Sequence, residues 1–398
     1  MRLRRQLPVY SPLPLRAVLA GARAALVGRT DEAGDRVRRW CENRYGTGEI
    51  LLTCTGTVGL TLAIAGVLRD RPEAPIALPA YSCYDVATAA DGADVSVLLY
   101  DVDPLTLGPD FDSLRSALKR GAGAVVIAHL FGLPVDVCRT RGLLDEFGAV
   151  LIEDAAQGAG GTYRGRPLGA SGSLGVLSFG RGKGMTGGRG GVLLANDGAG
   201  TAVLNQLAAT LLPGRRGMSE LLALMGQWLL GRPGLYGVPA SLPYLRLGET
   251  VYHPPHAACG ASNVCRGVLD VTCRLDAAEI AARRRNAMRL IEAVSRSDSL
   301  AAPTPVDGAV PGYLRFPLLE DGGARRACRL PPARALGIVA GYPRALVDLA
   351  GFRTRILNLD REFPGARSLA GRLVTLPTHS RLTESDLLGL ESWLGSKS

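Results

Sequence analysis

Aromatic residues, histidines and clusters of basic residues are scarce in this chain of 398 residues. Phe, Trp and Tyr make up 5% of it, and there are four His. The 46 Lys and Arg exceed the 36 Asp and Glu, but they are scattered along the chain. Nucleic-acid-binding proteins concentrate basic residues among aromatic ones, so we expect no nucleic-acid partner. The His253–His256 pair is stiffened by two prolines and is typical of a loop, so we expect no metal site.

Paired cysteines and long apolar runs are also missing. None of the eight Cys forms a CxxC pair, and scattered thiols in a chain of this size predict a reduced, cytoplasmic protein. No run approaches the roughly 18 apolar residues of a membrane span. The best candidate, 221–238, is interrupted by Gln227, Arg232 and Pro233. This segment either rests on a membrane surface or a partner, or forms a buried helix or a dimer contact. We favour the second pair of alternatives, a buried helix or a dimer contact.

What the sequence does contain is a series of Val-, Ile- and Leu-rich runs separated by Gly, Pro and helical patterns. Because the runs barely alternate in polarity, they predict strands covered by helices on both faces. Alternation of such strands with helices predicts an α/β fold with a mostly parallel, seven-stranded sheet. The seven runs are 49–55, 75–81, 94–103, 124–132, 148–156, 174–180 and 190–196.

The remaining patterns predict a second, smaller unit. Helices are expected over 31–45, 56–70, 137–147, about 264–295 and 384–394, and a further strand over 313–319. Residues 200–260 are Leu-rich and show no clear strand. We therefore predict a large domain over 1–260, with a lead-in over 1–47, and a connecting helix with a small α+β domain over 261–398.

Chemistry is expected where the strands end, because ligands of open α/β sheets bind beyond the carboxyl ends of the strands. Gly56 and Thr57 open a helix directly after a strand, which is a place where free backbone amides bind anions. A structural turn uses the same residues, so this motif alone leaves both interpretations open. Asp154 ends a very apolar strand, where a carboxylate needs a partner. That partner is either the cationic ring nitrogen of a cofactor or the start of the next helix.

Lys183 follows another apolar strand within the glycine-rich segment SFGRGKGMTGGRGG. Glycines allow the backbone to approach a bulky ligand, and a lysine there is suited to forming a Schiff base. Ser178 is placed to donate a hydrogen bond to a phosphate. A nucleotide-binding loop is the rival interpretation, but Gly184 stands where such a loop carries Ser or Thr.

Along the chain, short motifs follow one another in the order GT, PAYS, DVD, HLFG, IEDAAQ, YRGRPLG, SF followed by Lys183, and GRGG. This series of motifs resembles the DegT/DnrJ/StrS family of sugar aminotransferases. The resemblance runs from about residue 7 to residue 390. It implies fold type I of the pyridoxal-5′-phosphate (PLP) enzymes and PLP as the cofactor. The implied catalytic residues are Lys183, which would carry the cofactor and act as general base, and Asp154, which would pair with the ring nitrogen. The implied cofactor-binding residues also include Gly56, Thr57, Tyr84, His129, Gln157 and Ser178.

The sequence departs from the family at several places. The aromatic residue that usually covers the cofactor ring aligns with Cys83, so Tyr84 or Tyr81 replaces it or the ring is less covered. The acidic residue of a glycine-rich turn is Arg189 here, and we hypothesise that Arg189 or Arg181 meets an acidic group of the substrate. The motif expected before the long helix is only loosely matched.

Three further assignments follow from the same comparison. Asn263 is the candidate for a residue that reaches into the site of a second subunit, because family members are homodimers with shared active sites. Tyr313 is a candidate substrate contact. The segment 205–255 fits the family poorly, which leaves the pocket for the substrate undefined.

The resemblance implies an aminotransferase that moves an amino group, usually from glutamate, to a keto sugar attached to a nucleotide, in polysaccharide or glycoside synthesis. Two alternatives share the cofactor: a sugar dehydratase, which would carry His in place of Lys183, and an aminotransferase for a non-sugar ketone. A third alternative is a binding or regulatory protein without catalysis. It would not need Lys183, Asp154, Gln157 and Ser178 together.

Overall fold

The computed structural model describes residues 4–28, 30–242, 250–297, 300–321 and 324–397. The predicted lead-in and the atypical segment 205–255 each include residues outside this range, namely 1–3 and 29, and 243–249. No structural outcome is given for those parts of the two predictions.

The strands of the first half of the chain coincide with the seven apolar runs, with two very short strands added. They are β1 (Glu49–Thr53), β2 (Ile76–Pro79), β3 (Val97–Tyr100), β4 (Ala124–Ala128), β5 (Val150–Asp154), β6 (Thr162–Tyr163), β7 (Arg166–Pro167), β8 (Leu174–Ser178) and β9 (Gly191–Ala195). Every residue of β2, β3, β4 and β9 is buried, which is why these runs show no alternation of polarity.

Seven of these strands form one sheet in the order β1-β9-β8-β5-β4-β2-β3. Strands β8, β5, β4, β2 and β3 pair in parallel, and β9 pairs antiparallel with both of its neighbours. The mostly parallel, seven-stranded sheet predicted from the sequence is therefore confirmed. The antiparallel pairing of β8 with β9 has a local cause. The two strands are joined by a loop, residues 179–190, rather than by the crossover helix that parallel strands need. That loop carries Lys183.

The helices have capping side chains at some of their N-termini only. They are α1 (Leu15–Val27), α2 (Asp31–Tyr45), α3 (Gly56–Val67), α4 (Tyr84–Gly92), α5 (Phe111–Lys119), α6 (Val137–Asp145), α7 (Gly198–Ala208), α8 (Met218–Leu230), α9 (Gly237–Ala240), α10 (Asn263–Thr272), α11 (Asp276–Val294), α12 (Ala324–Arg329), α13 (Pro331–Ala335), α14 (Pro364–Arg372) and α15 (Glu384–Gly395). Helix α2, for example, has Asp31 and Glu32 in its first turn and ends at Gly46, which takes the left-handed conformation.

The single long helix expected over 264–295 is wrong, because the chain breaks between α10 and α11. Residues 273–275 separate the two helices, and Leu275 precedes α11 without a capping side chain. Asp276 and Glu279 occupy the first turn of α11, where negative charge favours a new helix N-terminus. The apolar pattern continues across this break, which is why periodicity alone did not locate it.

The candidate surface segment 221–238 forms most of α8 and the residues that follow it. Its inner face, with Leu221 and Leu224, packs against α1 and α10. Its outer face leaves Leu222, Met225 and Leu229 at least half exposed. The segment is thus buried on one face only, so the buried-helix interpretation is only half right. Within the described residues, no helix combines the length and apolar character needed to cross a membrane.

A second sheet lies in the last hundred residues. Its strands β10 (Leu300–Ala301), β12 (Phe316–Glu320), β13 (Val339–Ala340) and β14 (Leu373–Leu376) pair antiparallel in the order β10-β12-β14-β13. The short strand β11 (Ala309–Val310) pairs instead with β6. The predicted strand at 313–319 and the tail helix are both present, and Thr383 and Asp386 cap each other at the start of α15. The domain boundary at 260 stays a prediction.

One apolar core extends from the large sheet into the small sheet. One cluster of buried side chains includes Ile76 and Leu78 of the large sheet together with Leu318 and Val374 of the small sheet. Burial of apolar surface is the main stabilising term in folding. The two sheets therefore share a stabilising core, and side chains of the small sheet can reach the large sheet's carboxyl edge.

We predict that a buried histidine makes the chain lose stability in mild acid. His379 is fully buried, its Nε2 bonds the Leu7 carbonyl, and its Nδ1 accepts the Arg381 N–H. Burial lowers the pKa of His379 to about 4. Below pH ~6.5, the unfolded chain therefore binds a proton at His379 that the folded chain does not bind until the pH falls to about 4. The contribution of His379 should therefore lower the free energy of unfolding by about 3 kcal/mol as the pH falls from ~6.5 to 4.

Urea unfolding of the wild type and of His379→Gln across that pH range measures the effect. The variant should lose the part of the pH slope that His379 causes, while His256→Gln, at an exposed loop position, keeps the wild-type slope. Equal slopes for the wild type and His379→Gln would contradict the assignment.

Candidate active site

A pocket opens at the carboxyl ends of β4, β5 and β8, against the N-terminus of α3. This is the edge at which ligands of such sheets bind. The pocket is lined by eight of the residues predicted from the sequence: Gly56, Thr57, Cys83, His129, Asp154, Gln157, Ser178 and Lys183. Residues more than one hundred positions apart in the sequence are thus brought together at one site.

One end of the pocket is built to receive an anion. Thr55 caps α3 by accepting the Val58 N–H at 3.0 Å, which leaves the first two amides of the helix, Gly56 and Thr57, without an intrahelical partner. A Cβ on Gly56 would lie 2.7 Å from the Ser178 Cβ, so only glycine lets the helix approach β8 this closely. Two amides, the helix dipole and two hydroxyls converge here, which suits a phosphate.

Asp154 lies in the pocket wall at the end of β5. Its Oδ1 accepts the Ala156 N–H at 3.0 Å, and among the described residues its second oxygen accepts no hydrogen bond. Burial raises the pKa of this carboxyl, while the Lys183 ammonium, the Ala156 N–H and His129 act in the opposite direction. The helix-cap alternative is excluded by position, because the described residues 155–161 between β5 and β6 contain no helix for Asp154 to cap. Asp154 is therefore a carboxylate whose free oxygen a cationic group in the pocket would stabilise.

The neighbouring carboxylate, Glu153, has the opposite environment. Its two oxygens accept the backbone N–H groups of Gly169, Ser171 and Gly172 at 3.2, 2.5 and 2.6 Å, and one of them bonds His129 Nε2 at 2.9 Å. Burial by itself would raise the pKa of Glu153, but these hydrogen bonds outweigh burial and hold the pKa below its usual value. Glu153 is thus a fully satisfied structural anion.

His129 is held in one tautomer by this arrangement. Its Nδ1 accepts the Val135 N–H at 3.3 Å, so Nε2 carries the proton and donates it to Glu153. Both ring nitrogens are used internally. His129 therefore lines the pocket with its ring and has no ring nitrogen left to donate or accept a proton there.

The loop that carries Lys183 is tied down from three directions. The Ser11 hydroxyl bonds the Lys183 carbonyl, and the Arg283 guanidinium, which is 1% exposed, donates to the carbonyls of Tyr10 and Gly184 at 3.0 and 3.2 Å. A Cβ on Gly184 would lie 2.1 Å from the Ala159 Cβ. The backbone on both sides of Lys183 is thus fixed, and its side chain is directed into the pocket that it lines.

An aromatic cluster supports the other side of the pocket. The Gln157 side chain accepts the Phe131 N–H at 2.8 Å and donates to the Tyr342 hydroxyl. Tyr342 stacks on Phe131, with ring centroids 5.9 Å apart, and lies against Tyr81 and Tyr84. The rings of Tyr81 and Tyr84 thus pack within this cluster, and the residue that lines the pocket is Cys83. Burial raises the pKa of the Cys83 thiol to about 12.

Five predicted residues do not line this pocket, and their roles stay predictions. Tyr84 packs against Tyr342, and Tyr313 is buried before β12. Arg181 and Arg189 are exposed on the loop around Lys183. Asn263 begins α10 and accepts a hydrogen bond from the Thr30 hydroxyl at 3.2 Å.

Sequence reasoning missed Glu153, Arg283 and Tyr342. Glu153 adjoins Asp154 in an apolar strand. Because the side chains of adjacent strand residues point to opposite faces, this pair of acids could have indicated one structural and one functional carboxylate. Arg283 and Tyr342 gave no such signal. They lie 100 and 159 positions beyond Lys183, in a helix and a loop whose approach to the pocket depends on the tertiary fold.

Comparison with known proteins agrees with this geometry. Residues 29–217 match the DegT/DnrJ/EryC1/StrS aminotransferase family. An L-glutamine:2-deoxy-scyllo-inosose aminotransferase from Streptoalloteichus tenebrarius is 31% identical over 186 residues, which are 46% of this chain and 44% of that protein. The match thus spans less than half of the relative's length.

Solved structures extend the likeness to the whole fold. The aminotransferase TlmJ from Streptoalloteichus hindustanus superposes with a TM-score of 0.75 at 22% identity, covering 98% of this chain and 97% of that one. DesI, solved in the presence of its TDP-sugar product, gives a TM-score of 0.76 at 18% identity, covering 99% and 93%. The fold is therefore that of the fold-type I PLP-dependent transferases.

We predict that Glu153→Gln destabilises the fold without removing any pocket-lining side chain. An amide offers one acceptor oxygen where the carboxylate serves four donors, so at least one buried N–H group loses its partner. The expected cost is about 2–4 kcal/mol of unfolding free energy, measured by urea denaturation. Glu146→Gln, which removes an exposed ion pair with Arg115, is the control and should leave the free energy of unfolding nearly unchanged. Similar costs for the two variants would refute the structural role of Glu153.

Proposed function

We propose that the chain is a PLP-dependent aminotransferase. The observation that carries the proposal is the placement of three groups in one pocket: an anion site at the N-terminus of α3, the free carboxylate oxygen of Asp154, and the amine of Lys183. PLP carries a phosphate, a ring nitrogen that is cationic when protonated, and an aldehyde. Each of these finds a matching group in the pocket, and the family match of residues 29–217 supports the same cofactor.

When bound, PLP supplies an aldehyde that takes up and releases amino groups and a ring that stabilises negative charge. The chain's residues then have separate tasks. Gly56, Thr57 and Ser178 bind the phosphate. Asp154 keeps a proton on the ring nitrogen by offsetting its charge. Lys183 provides the amine that holds the cofactor and, when released, the base that moves a proton at the α-carbon of the amino donor.

For the amino donor we propose glutamine, ahead of the glutamate expected from the sequence. The relative from Streptoalloteichus tenebrarius, 31% identical over 186 residues, is named for L-glutamine. Glutamine and glutamate differ only at the far end of the side chain. The choice between them therefore rests on groups beyond the cofactor.

For the acceptor we propose a cyclic polyhydroxy ketone, a keto sugar or an inosose. The curated relative is named for an inosose, and DesI was solved with a TDP-sugar. A nucleotide-linked keto sugar is the more specific form of the proposal, and the net charge of +10 favours a phosphorylated acceptor. Use of the product in polysaccharide or glycoside synthesis, in the cytoplasm, completes the proposal.

We further propose that two copies of the chain form a homodimer through α1 and α8. These helices pack against each other and expose Leu19 and Leu26 on α1 and Leu222 and Met225 on α8, each at least half exposed. A contiguous apolar surface of this kind usually marks an interface. Asn263 begins α10, the helix that packs on both of them, which fits a residue directed toward a partner subunit.

The alternatives are less well supported. The dehydratase proposal requires His at the position of Lys183, and the structure instead directs the Lys183 amine into the pocket. A purely binding protein would not need an amine, an anion site and a free carboxylate around one cavity. Conversion of the cofactor to its amine form by glutamine would separate a transaminase from a binding protein.

We predict that Lys183→Ala folds but neither retains PLP nor transfers amino groups. The purified wild type should be yellow because of the bound cofactor, and the variant should lose this visible absorbance together with turnover of glutamine and an inosose or keto-sugar acceptor. Lys119→Ala, at an exposed position, is the matched control and should keep both. A Lys183→Ala protein with wild-type absorbance and turnover would end the proposal.

We also predict that Gly56→Ala weakens PLP binding at least about tenfold, because the new Cβ would push α3 away from Ser178 and open the phosphate site. Titration of cofactor-free protein with PLP, followed by absorbance, measures this affinity. Gly226→Ala, within α8, places its Cβ in open space and should leave the affinity unchanged. Unchanged affinity in Gly56→Ala would show that the phosphate binds elsewhere.

A further inference from the structure

A buried tyrosine in the loop after β13 holds one of the side chains that line the pocket. Tyr342 is 9% exposed, and its hydroxyl accepts a hydrogen bond from Gln157 Nε2. Gln157 belongs to the residues that line the pocket, and Tyr342 lies behind them. Tyr342 is therefore placed to act on the pocket through the amide of Gln157.

Two hydrogen bonds fix the orientation of this amide. The Phe131 backbone N–H can only donate, so the Gln157 atom that it meets at 2.8 Å must be the amide oxygen. The amide nitrogen then faces the Tyr342 hydroxyl, to which it donates one of its two N–H groups. Among the described residues, no acceptor takes the second N–H. Gln157 thus keeps one unused donor on a side chain that lines the pocket.

Tyr342 is itself held firmly. Its backbone N–H donates to the Tyr81 hydroxyl at 2.9 Å, and its ring stacks on Phe131 with an interplanar angle of 22°. A Cβ on Gly341 would collide with the Tyr81 hydroxyl, so only glycine allows this close approach. Burial raises the pKa of Tyr342 well above its usual value, which keeps the hydroxyl neutral. The acceptor that Gln157 uses is therefore fixed in both position and charge.

The unused N–H of Gln157 matches the one polar group of PLP that has no partner so far. The phosphate fits the N-terminus of α3, the ring nitrogen fits Asp154, and the aldehyde fits Lys183. The remaining group is the ring oxygen, which carries negative charge in the bound cofactor and is stabilised by an N–H donor. His129 cannot supply that donor, because both of its ring nitrogens are used within the fold.

We propose that Tyr342 is a positioning residue, which keeps the Gln157 amide turned so that its second N–H donates to the ring oxygen of PLP. The inference rests on the proposed function, because it requires PLP in this pocket. The terminal torsion of a glutamine side chain is soft, so an amide that loses the tyrosine hydroxyl can rotate. The ring oxygen would then lose its donor for part of the time.

The test is Tyr342→Phe, which removes the hydroxyl and keeps the ring that stacks on Phe131. A donor at the ring oxygen stabilises negative charge there, so without it the bound cofactor should hold its proton up to a higher pH. The pH midpoint of the visible absorbance should rise by about 0.5–1 unit. Affinity for PLP should fall about three- to tenfold. Absorbance titration of loaded enzyme with pH, and of cofactor-free protein with PLP, measures the two effects.

Tyr100→Phe is the matched control. Tyr100 is a buried residue of β3, and its hydroxyl donates to the Val126 carbonyl at 2.7 Å. The control variant therefore also loses one buried hydroxyl and its hydrogen bond, but not a contact with Gln157. It should keep the wild-type midpoint and the wild-type affinity for PLP.

Gln157→Leu separates positioning from packing. This variant has no amide to orient, so its midpoint should rise at least as far as that of Tyr342→Phe. Adding Tyr342→Phe to Gln157→Leu should then cause no further shift, because the effect of the hydroxyl passes through the amide. A shift as large as in the wild-type background would show that Tyr342 acts by another route.

The inference is also overturned if Tyr342→Phe keeps the wild-type midpoint and affinity. If Tyr342→Phe does not fold, Gln157→Glu decides, because it keeps an oxygen for the Phe131 N–H and removes both amide N–H groups. A raised midpoint in Gln157→Glu supports the inference, and an unchanged midpoint overturns it. A failure of the proposed function is recognised separately, because the wild type itself would then lack the visible absorbance of bound PLP.

Discussion

The structure depends on how two adjacent carboxylates at the end of β5 are stabilised. Side chains of neighbouring strand residues point to opposite faces, so Glu153 and Asp154 enter different surroundings although they share a backbone. Glu153 receives four hydrogen bonds from the chain itself, and Asp154 receives one. A buried anion that the fold leaves incomplete is a strong indication of an external cation. The ring nitrogen of a pyridine cofactor meets that requirement.

The satisfied carboxylate also organises its neighbourhood. Glu153 accepts the N–H groups of Gly169, Ser171 and Gly172 and thereby fixes the turn that precedes β8. By accepting a hydrogen bond from His129, it also fixes one wall of the pocket. The N-terminal lead-in acts similarly on the Lys183 loop. Ser11 donates to the Lys183 carbonyl, and Tyr10 accepts from Arg283, which also donates to the Gly184 carbonyl. Segments from distant parts of the sequence thus contact the pocket from several sides. These contacts hold its few functional groups in fixed positions relative to one another.

Much of this could be predicted from the sequence, because the signals were local. Buried parallel strands read as continuous apolar runs, and strand ends such as Asp154 and Ser178 then mark one edge of the sheet. What local signals did not indicate were contacts made by tertiary packing. Tyr342, in the loop after β13, bonds the pocket residue Gln157, and Arg283, in α11, bonds the Gly184 carbonyl beside Lys183. The break before α11 was missed because apolar spacing does not register a change in backbone direction.

Cys83, which the sequence comparison predicts to stand where an aromatic ring is usual, has a chemical consequence of its own. A thiolate beside an aldehyde would add to its carbonyl carbon and form a hemithioacetal, in competition with the amine of Lys183. Burial among aromatic side chains keeps the sulfur protonated well above neutral pH, so it is a poor nucleophile there. Cys83 thus lines the pocket without introducing a second reactive group.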